Sequence, residues 1–201
     1  MMPRRTVLFA AAAALLAAGA GTAMFMRQAQ ASVETGAAAP NFSVHDATGA
    51  TRTLSEFRGR TVVLEWTNEG CPFVRRHYDF GDMQALQQEA TAQGVVWLQV
   101  ISSAPGEQGY LDGAGALARV QADNAHPTAT LLDPNGVMGH AYGARNTPHM
   151  FVIDGDGRLV YQGAIDNDRS GRHAPVNASH NYVREALADV RAGRAVAVSQ
   201  T

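Results

Sequence analysis

The chain predicts an α/β domain of three layers, a central sheet with helices on both faces, and three observations carry that expectation. Apolar runs of strand length at residues 62–66 and 95–101 are separated by stretches with helical spacing. The second run is almost wholly apolar, as in a strand covered on both faces of a sheet. Near the C-terminus, residues 150–153, the turn Asp154-Gly155-Asp156-Gly157 and residues 159–162 read as a β-hairpin. At 201 residues with 46% hydrophobic content, one domain with a single core is the natural count.

Each element follows from local chemistry. Residues 40–46 alternate as a short strand, Thr48-Gly49 marks a turn, and residues 51–53 form the return strand. Residues 54–57 suit one helical turn, closed by Gly59. After the central strand at 62–66 a short loop leads to a helix opening at Cys71; it is interrupted at Gly81 and resumes from Asp82 to a stop at Gly94. Residues 102–127, rich in Ser, Gly, Pro and Ala, read as a surface excursion with one helix over 114–123. A strand at 128–132 and the turn Asp133-Pro134-Asn135-Gly136 precede a helix ending near Tyr142. Ser179 is the expected cap of a last helix with the apolar stripe Tyr182, Val183, Leu187 and Val190, ending at Gly193.

The chain ends divide off. Residues 1–31 have the form of an export signal: Arg4 and Arg5, an apolar stretch at 7–25, and Ala29-Gln30-Ala31 as a small-x-small cleavage site. The run from Arg4 to Leu8 also loosely resembles a twin-arginine signal. Cleavage leaves an exported protein, periplasmic or secreted, with no membrane attachment; the alternative is an uncleaved anchor, since 7–25 is nearly long enough to span a bilayer. Residues 32–38 read as a flexible leader, 39–196 as the folded domain and 197–201 as a C-terminal tail. The whole chain carries a net charge of −2. Without residues 1–31, which hold Arg4, Arg5 and Arg27 and no acids, it is −5. An acidic domain argues against nucleic acid and against anionic membranes as partners. All 16 basic residues are arginine, which excludes chemistry on a lysine amine.

Cys71 is the single cysteine, so no internal disulfide can form. An odd thiol in an exported protein points to intermolecular pairing or to a free reactive group. A thiol at a helix N-terminus meets unpaired backbone N–H groups and the positive end of the helix dipole, which favour thiolate. Pro72 suits the first turn, where its missing N–H costs nothing, and Arg75 and Arg76 add positive charge within about one turn. The alternative is a small core hydrophobe, the commoner fate of a buried free cysteine. The seven histidines show no tight ligand spacing, so no metal is expected, and no glycine loop suggests a cofactor. Asp154-Gly155-Asp156-Gly157 lacks the last glutamate of a calcium loop, and Asn177-Ala178-Ser179 forms a glycosylation sequon.

The order Ala39-Pro40-Asn41-Phe42, the 54–59 turn, Trp66, Cys71-Pro72, and Thr147-Pro148 before residues 150–154 resembles the thioredoxin-like fold. It is similar in particular to the redoxin branch, the alkyl hydroperoxide reductase C/thiol-specific antioxidant and exported thiol-disulfide reductase families. The resemblance covers about residues 39–192. It implies that Cys71 is the first, nucleophilic cysteine of a C-x-x-C motif and that Pro148 is the cis-proline facing it. Thr147 would then present its backbone to an extended substrate segment. Glu65 falls where thioredoxins keep a buried acid used in proton transfer. Burial would raise its pKa towards neutrality, whereas an arginine partner or solvent at the strand end would not.

The chain departs from these families at named positions. Val74 replaces the second cysteine. The hydroxyl and proline that a peroxiredoxin sets three and seven residues before its cysteine are here Asn68 and Leu64, with Thr67 one place out of register. The subfamily with Cys-Pro-Phe-Val-(Arg/Lys)-(Arg/Lys)-His-Tyr is similar, and some of its relatives carry another cysteine in a C-terminal tail; this sequence has none. Any resolving thiol must therefore come from outside. The resemblance implies an exported oxidoreductase in which Cys71 reduces a peroxide or a protein disulfide, with antioxidant activity, and is recycled by an external thiol reductant. The competing expectation is a non-catalytic thioredoxin-like module that binds a periplasmic partner in the same cleft.

Overall fold

The computed structural model describes residues 33–170, 172–176 and 178–201; the segment read as an export signal and Asn177 of the sequon lie outside them. Seven strands form one sheet in the order β2-β1-β5-β4-β3-β6-β7. At its centre β3 (Val62–Trp66) runs parallel to β4 (Val96–Ile101) and antiparallel to β6 (His149–Ile153). β4 is parallel to β5 (Ala129–Leu132), β6 pairs with β7 (Leu159–Gly163), and the hairpin of β1 (Ser43–Asp46) and β2 (Thr51–Thr53) closes the far edge.

All five residues of β3 and all six of β4 are buried, so the sheet centre is covered on both faces. Period-2 alternation sends Val62, Leu64 and Trp66 to one face, with Phe151 and Ile153 of β6. There they pack on Met138 and Tyr142 of α4 (Val137–Tyr142) and on the 3-10 turn at Leu54–Phe57. Val63, Trp97, Met150 and Val152 face the other side, where α1 (Pro72–Asp79), α2 (Asp82–Ala92) and α5 (Tyr182–Arg191) supply Val74, Tyr78, Met83, Leu86 and Val183. α3 (Gly113–Ala122) joins that second layer through Ala116 on Ile101. The three-layer α/β, thioredoxin-like architecture expected from the sequence is the one observed.

The break between α1 and α2 falls at Gly81, whose φ of +85° is a conformation that L side chains rarely adopt. Two expectations need correction. The last helix is capped by Asn181, whose side chain accepts from Arg184 N at 2.9 Å, and not by Ser179, whose hydroxyl accepts from Asn167 Nδ2. The leader is also not free: Gly36 N donates to Leu159 O at 2.7 Å and Ala39 N to Gly157 O at 2.9 Å. The tail does the same further along, with Gln162 N donating to Ser199 O and Thr201 N to Gln162 O. Both segments lie on the outer edge of β7 because that edge's backbone donors and acceptors are otherwise unpaired.

Candidate active site

Cys71 is the N-cap of α1, with extended backbone at φ −79° and ψ 122°, and Pro72 opens the first turn. The thiol is half-buried and donates to Thr147 O at 3.0 Å. The Thr147–Pro148 peptide is cis, and the residues after it enter β6, which the sheet register ties to β3: Trp66 faces His149. Two neighbouring strands therefore hold the thiol loop and the Thr147–Pro148 loop against each other.

Asn68 builds the loop that carries the thiol. Its carbonyl accepts from Cys71 N at 3.0 Å, its Oδ1 from Gly70 N at 2.9 Å, and its Nδ2 donates to Gln108 O at 3.3 Å. The approach of this loop to the 108–109 turn is close. A Cβ on Gly109, which sits at φ +83°, would lie 2.4 Å from the Asn68 side chain. Thr67 is fixed through its backbone, N–H to Val100 O at 3.0 Å.

Arg75 lies one turn beyond Cys71, but its guanidinium is held by carboxylates. It donates to Asp123 at 2.9 and 3.1 Å and pairs with Asp79. Asp123 in turn accepts from Arg119, so the charge expected near the thiol belongs to a network joining α1 to α3. Arg76 is buried, paired with Asp168 and donating to Ala174 O at 3.0 Å, and it ties both residues to α1. His77 is buried as well; burial first, and Arg76 beside it, lower its pKa to about 4, and its ring is neutral at physiological pH.

Glu65 points from β3 into the layer that holds α1. It has no exposed surface and no arginine partner among the described residues. Its oxygens accept from Tyr78 Oη at 2.6 Å, Trp97 Nε1 at 2.7 Å and Gln87 Nε2 at 3.0 Å. Burial raises its pKa from 4.5 to about 7, against the opposing pull of these three neutral donors. The network continues outward: Gln99 Nε2 donates to Tyr78 Oη at 2.6 Å, and Thr130 Oγ1 to Gln99 Oε1 at 2.9 Å. A cavity of about 20 Å³, room for one water, is lined by Thr67 and Asn68 from the thiol loop and by Tyr78, Gln99 and Thr130 from the network. The sequence reading missed these partners. Their signal was Gln99 inside an apolar strand and Gln87 on the inner face of a helix.

Among the described residues no group of three His, Cys, Asp or Glu side chains could hold a metal ion, and no helix is long and apolar enough to cross a membrane.

The geometry defines a class: a thioredoxin-like α/β domain whose helix N-terminus sets a single thiol against a Thr-Pro loop. The AhpC/TSA family description matches residues 35–162, and the chain belongs to that redoxin family. No curated protein matches it. Among solved structures it is similar to a conserved protein of Geobacillus kaustophilus, at 23% identity and TM-score 0.73 over 84% of this chain and 87% of that one. It is also similar to a hypothetical protein of Sinorhizobium meliloti 1021, at 26% identity and TM-score 0.71 over 85% and 93%. A Chlorobium tepidum protein described as a thiol:disulfide interchange protein, DsbE, aligns at 26% identity and TM-score 0.54 over 66% and 86%.

Proposed function

We propose that the protein is a single-cysteine thiol-disulfide oxidoreductase, acting outside the cytoplasm and recycled by an external thiol. The observation that carries this reading is the Cys71 thiol, half-exposed at the first turn of α1 and 3.0 Å from Thr147 O. Family membership supports thiol chemistry in general, and the similarity to a thiol:disulfide interchange protein supports a disulfide as substrate. Export rests on the form of residues 1–31.

In the first step the Cys71 thiolate attacks one sulfur of a substrate disulfide. The S–S bond breaks, the second sulfur leaves as thiolate, and Cys71 holds a mixed disulfide. Val74 stands where a resolving cysteine would cut this intermediate, so it persists until an outside thiolate attacks it. Thr147 and Pro148 offer the backbone edge against which the substrate segment lies. Glu65, whose pKa burial raises to about 7, is the candidate acid and base for the proton that the thiol gives up and regains. Peroxide reduction is the weaker use of the site. The Asn68 amide is engaged by Gly70 N and Gln108 O, and the Arg75 guanidinium by Asp79 and Asp123, which leaves each with fewer donors to polarise an O–O bond.

The test is to mix the reduced protein with glutathione disulfide or with hydrogen peroxide and follow the mass of the intact chain, with Cys71→Ser as blank. A rapid gain of one glutathionyl group on Cys71, faster than any gain of oxygen, is the expected result. A thiol that reacts with neither overturns the reading and leaves the binding module.

A further inference from the structure

Two clefts flank the Thr147–Pro148 loop, and two residues stand in both. The first, about 240 Å³, is lined by Thr67 and Asn68 of the thiol loop, by Ser102 and by Thr147. The second, about 300 Å³, is lined by Pro148, His149, Gln162 and Thr201. The second is at the small end of the range of ligand pockets, about 300–1,000 Å³, and the first is just below it. Arg145 and Asn146 line the two together.

Arg145 differs from the other arginines near the thiol. Arg75 and Arg76 are bonded to carboxylates, whereas the exposed Arg145 guanidinium has no hydrogen-bond or ion-pair partner among the described residues. No aspartate or glutamate lines either cleft. His149 adds no charge: burial first, and Arg145 beside it, lower its pKa to about 4. Arg145 thus supplies the one charged side chain on the two linings. Its backbone is held in place, because Arg145 N donates to His149 Nδ1 at 3.3 Å while the His149 ring packs on Phe151 at 4.4 Å. One residue, Asn146, separates it from Thr147, whose carbonyl meets the thiol, a span of at most about 7 Å of chain.

We propose that the external thiol recycling Cys71 is a small carboxylate-bearing thiol, seated beside Thr147 with its carboxylate on Arg145. This rests on the oxidoreductase reading above and names its reductant. The thiol loses its proton and its sulfur attacks the partner sulfur of the Cys71 mixed disulfide. The old S–S bond breaks, a new one joins the incoming thiol to the departing group, and Cys71 leaves as thiolate and takes up a proton. The incoming thiol is oxidised and Cys71 is reduced. The planar guanidinium suits a carboxylate, and an exposed cation acts mainly by steering the anion in and holding it in register.

The experiment loads Cys71 with a neutral methylthio group using methyl methanethiosulfonate. Its removal is then followed by intact mass with glutathione, 2-mercaptoethanol or cysteamine, which are anionic, neutral and cationic. Intrinsic thiol reactivity cancels in the ratio of wild type to variant. Arg145→Gln is expected to slow glutathione about fivefold while changing 2-mercaptoethanol less than about twofold. Arg145→Lys restores most of the glutathione rate, and high salt removes the difference. Arg145 is exposed and its substitution leaves the backbone hydrogen bond to His149, so both variants should fold; their melting curves check this. Equal slowing of all three thiols, or none, overturns the anionic assignment and leaves the oxidoreductase reading intact. Failure of Cys71 to accept the methylthio group at all overturns both.

Discussion

Two carboxylates, Asp46 and Glu65, are almost equally hidden from solvent, at 3% and 0% exposure, yet their pKa values move in opposite directions from the ordinary carboxylate range. Burial pushes both upward. At Asp46 it is outweighed by hydrogen bonds from the Thr48 hydroxyl, the Arg52 guanidinium and the Thr48 and Ala50 N–H groups, and the pKa falls to about 2. At Glu65 three neutral donors meet a fully enclosed group, and the pKa rises to about 7. A cation and backbone dipoles make an acid into a permanent anion that ties a turn together. Neutral side-chain donors in a closed layer make one that can gain or lose a proton at physiological pH.

Truncation separates the two most strongly. Glu65→Ala leaves the donors of Tyr78, Gln87 and Trp97 facing a dry gap and is expected to destabilise the fold by about 3–5 kcal/mol. Asp46→Ala exposes donors at a surface turn that water can reach, and its expected cost is about 1–3 kcal/mol. Chemical denaturation at one pH measures both; equal losses would mean that enclosure does not distinguish the sites.

The pH dependence comes next in size. Glu65 takes up a proton more readily folded than unfolded, so its contribution is fully present below 4.5 and is lost as pH rises through about 7. The shift corresponds to about 3 kcal/mol. His77 and His149 act in the opposite sense across the same window. Each is lowered from 6.5 to about 4, so each adds stability as pH rises. The raised Asp166 adds to the Glu65 trend. The wild-type curve alone therefore mixes opposed slopes. The difference between wild type and Glu65→Gln isolates the carboxyl, and it should fall by about 3 kcal/mol between pH 4 and 8. A flat difference would put Glu65 back at an ordinary carboxylate pKa.

Much of this contrast was legible in the sequence, and the missing part has a physical cause. Glu65 could be placed on a buried strand because Val62, Val63, Leu64 and Trp66 surround it. Cys71 at a helix start, the break at Gly81 and the β6–β7 hairpin were likewise read from local chemistry. What holds Glu65 was not, since Tyr78, Gln87 and Trp97 come from three other elements and meet only when the layers close. Arg75 teaches the same lesson from the other side. Proximity along the chain suggested a charge on the thiol, but helical geometry aims the side chain at Asp79 four residues on and at Asp123. The cap moved from Ser179 to Asn181 for a comparable reason, because Asn167 engages the serine hydroxyl.

Tyr78→Phe sharpens the comparison within the network. It removes one donor to Glu65 and the acceptor of Gln99 Nε2, with an expected cost of about 1–2 kcal/mol. The Tyr78 O–H is also the strongest of the influences that lower the Glu65 pKa. Its loss should move the midpoint of the Glu65 difference curve above about 7, which repeating the paired titrations in the Tyr78→Phe background would show. An unchanged midpoint would mean that the Tyr78 hydroxyl has no part in setting the value, which burial, Trp97 and Gln87 would then fix.

The smallest effect belongs to the cation at the other site. Arg52 Nε lies 2.8 Å from Asp46 Oδ2, but the arginine side chain is 35% exposed, so solvent screens the pair. Arg52→Gln is therefore expected to cost only about 0.5–1 kcal/mol. The sign of the pH dependence is the reverse of that at Glu65. Asp46 is depressed, so its contribution is present above 3.8 and is lost as pH falls through about 2. The arginine's share of that loss should shrink in high salt, while the share from Thr48 and Ala50, carried by short local bonds, should not. Acid titration of wild type and Arg52→Gln at low and high ionic strength resolves the two parts. If the variant loses the whole acid transition, the guanidinium alone makes Asp46 a permanent anion. If it keeps most of it, the backbone of the β1–β2 turn does, and the contrast with Glu65 comes down to whether the donors are main-chain dipoles or enclosed side chains.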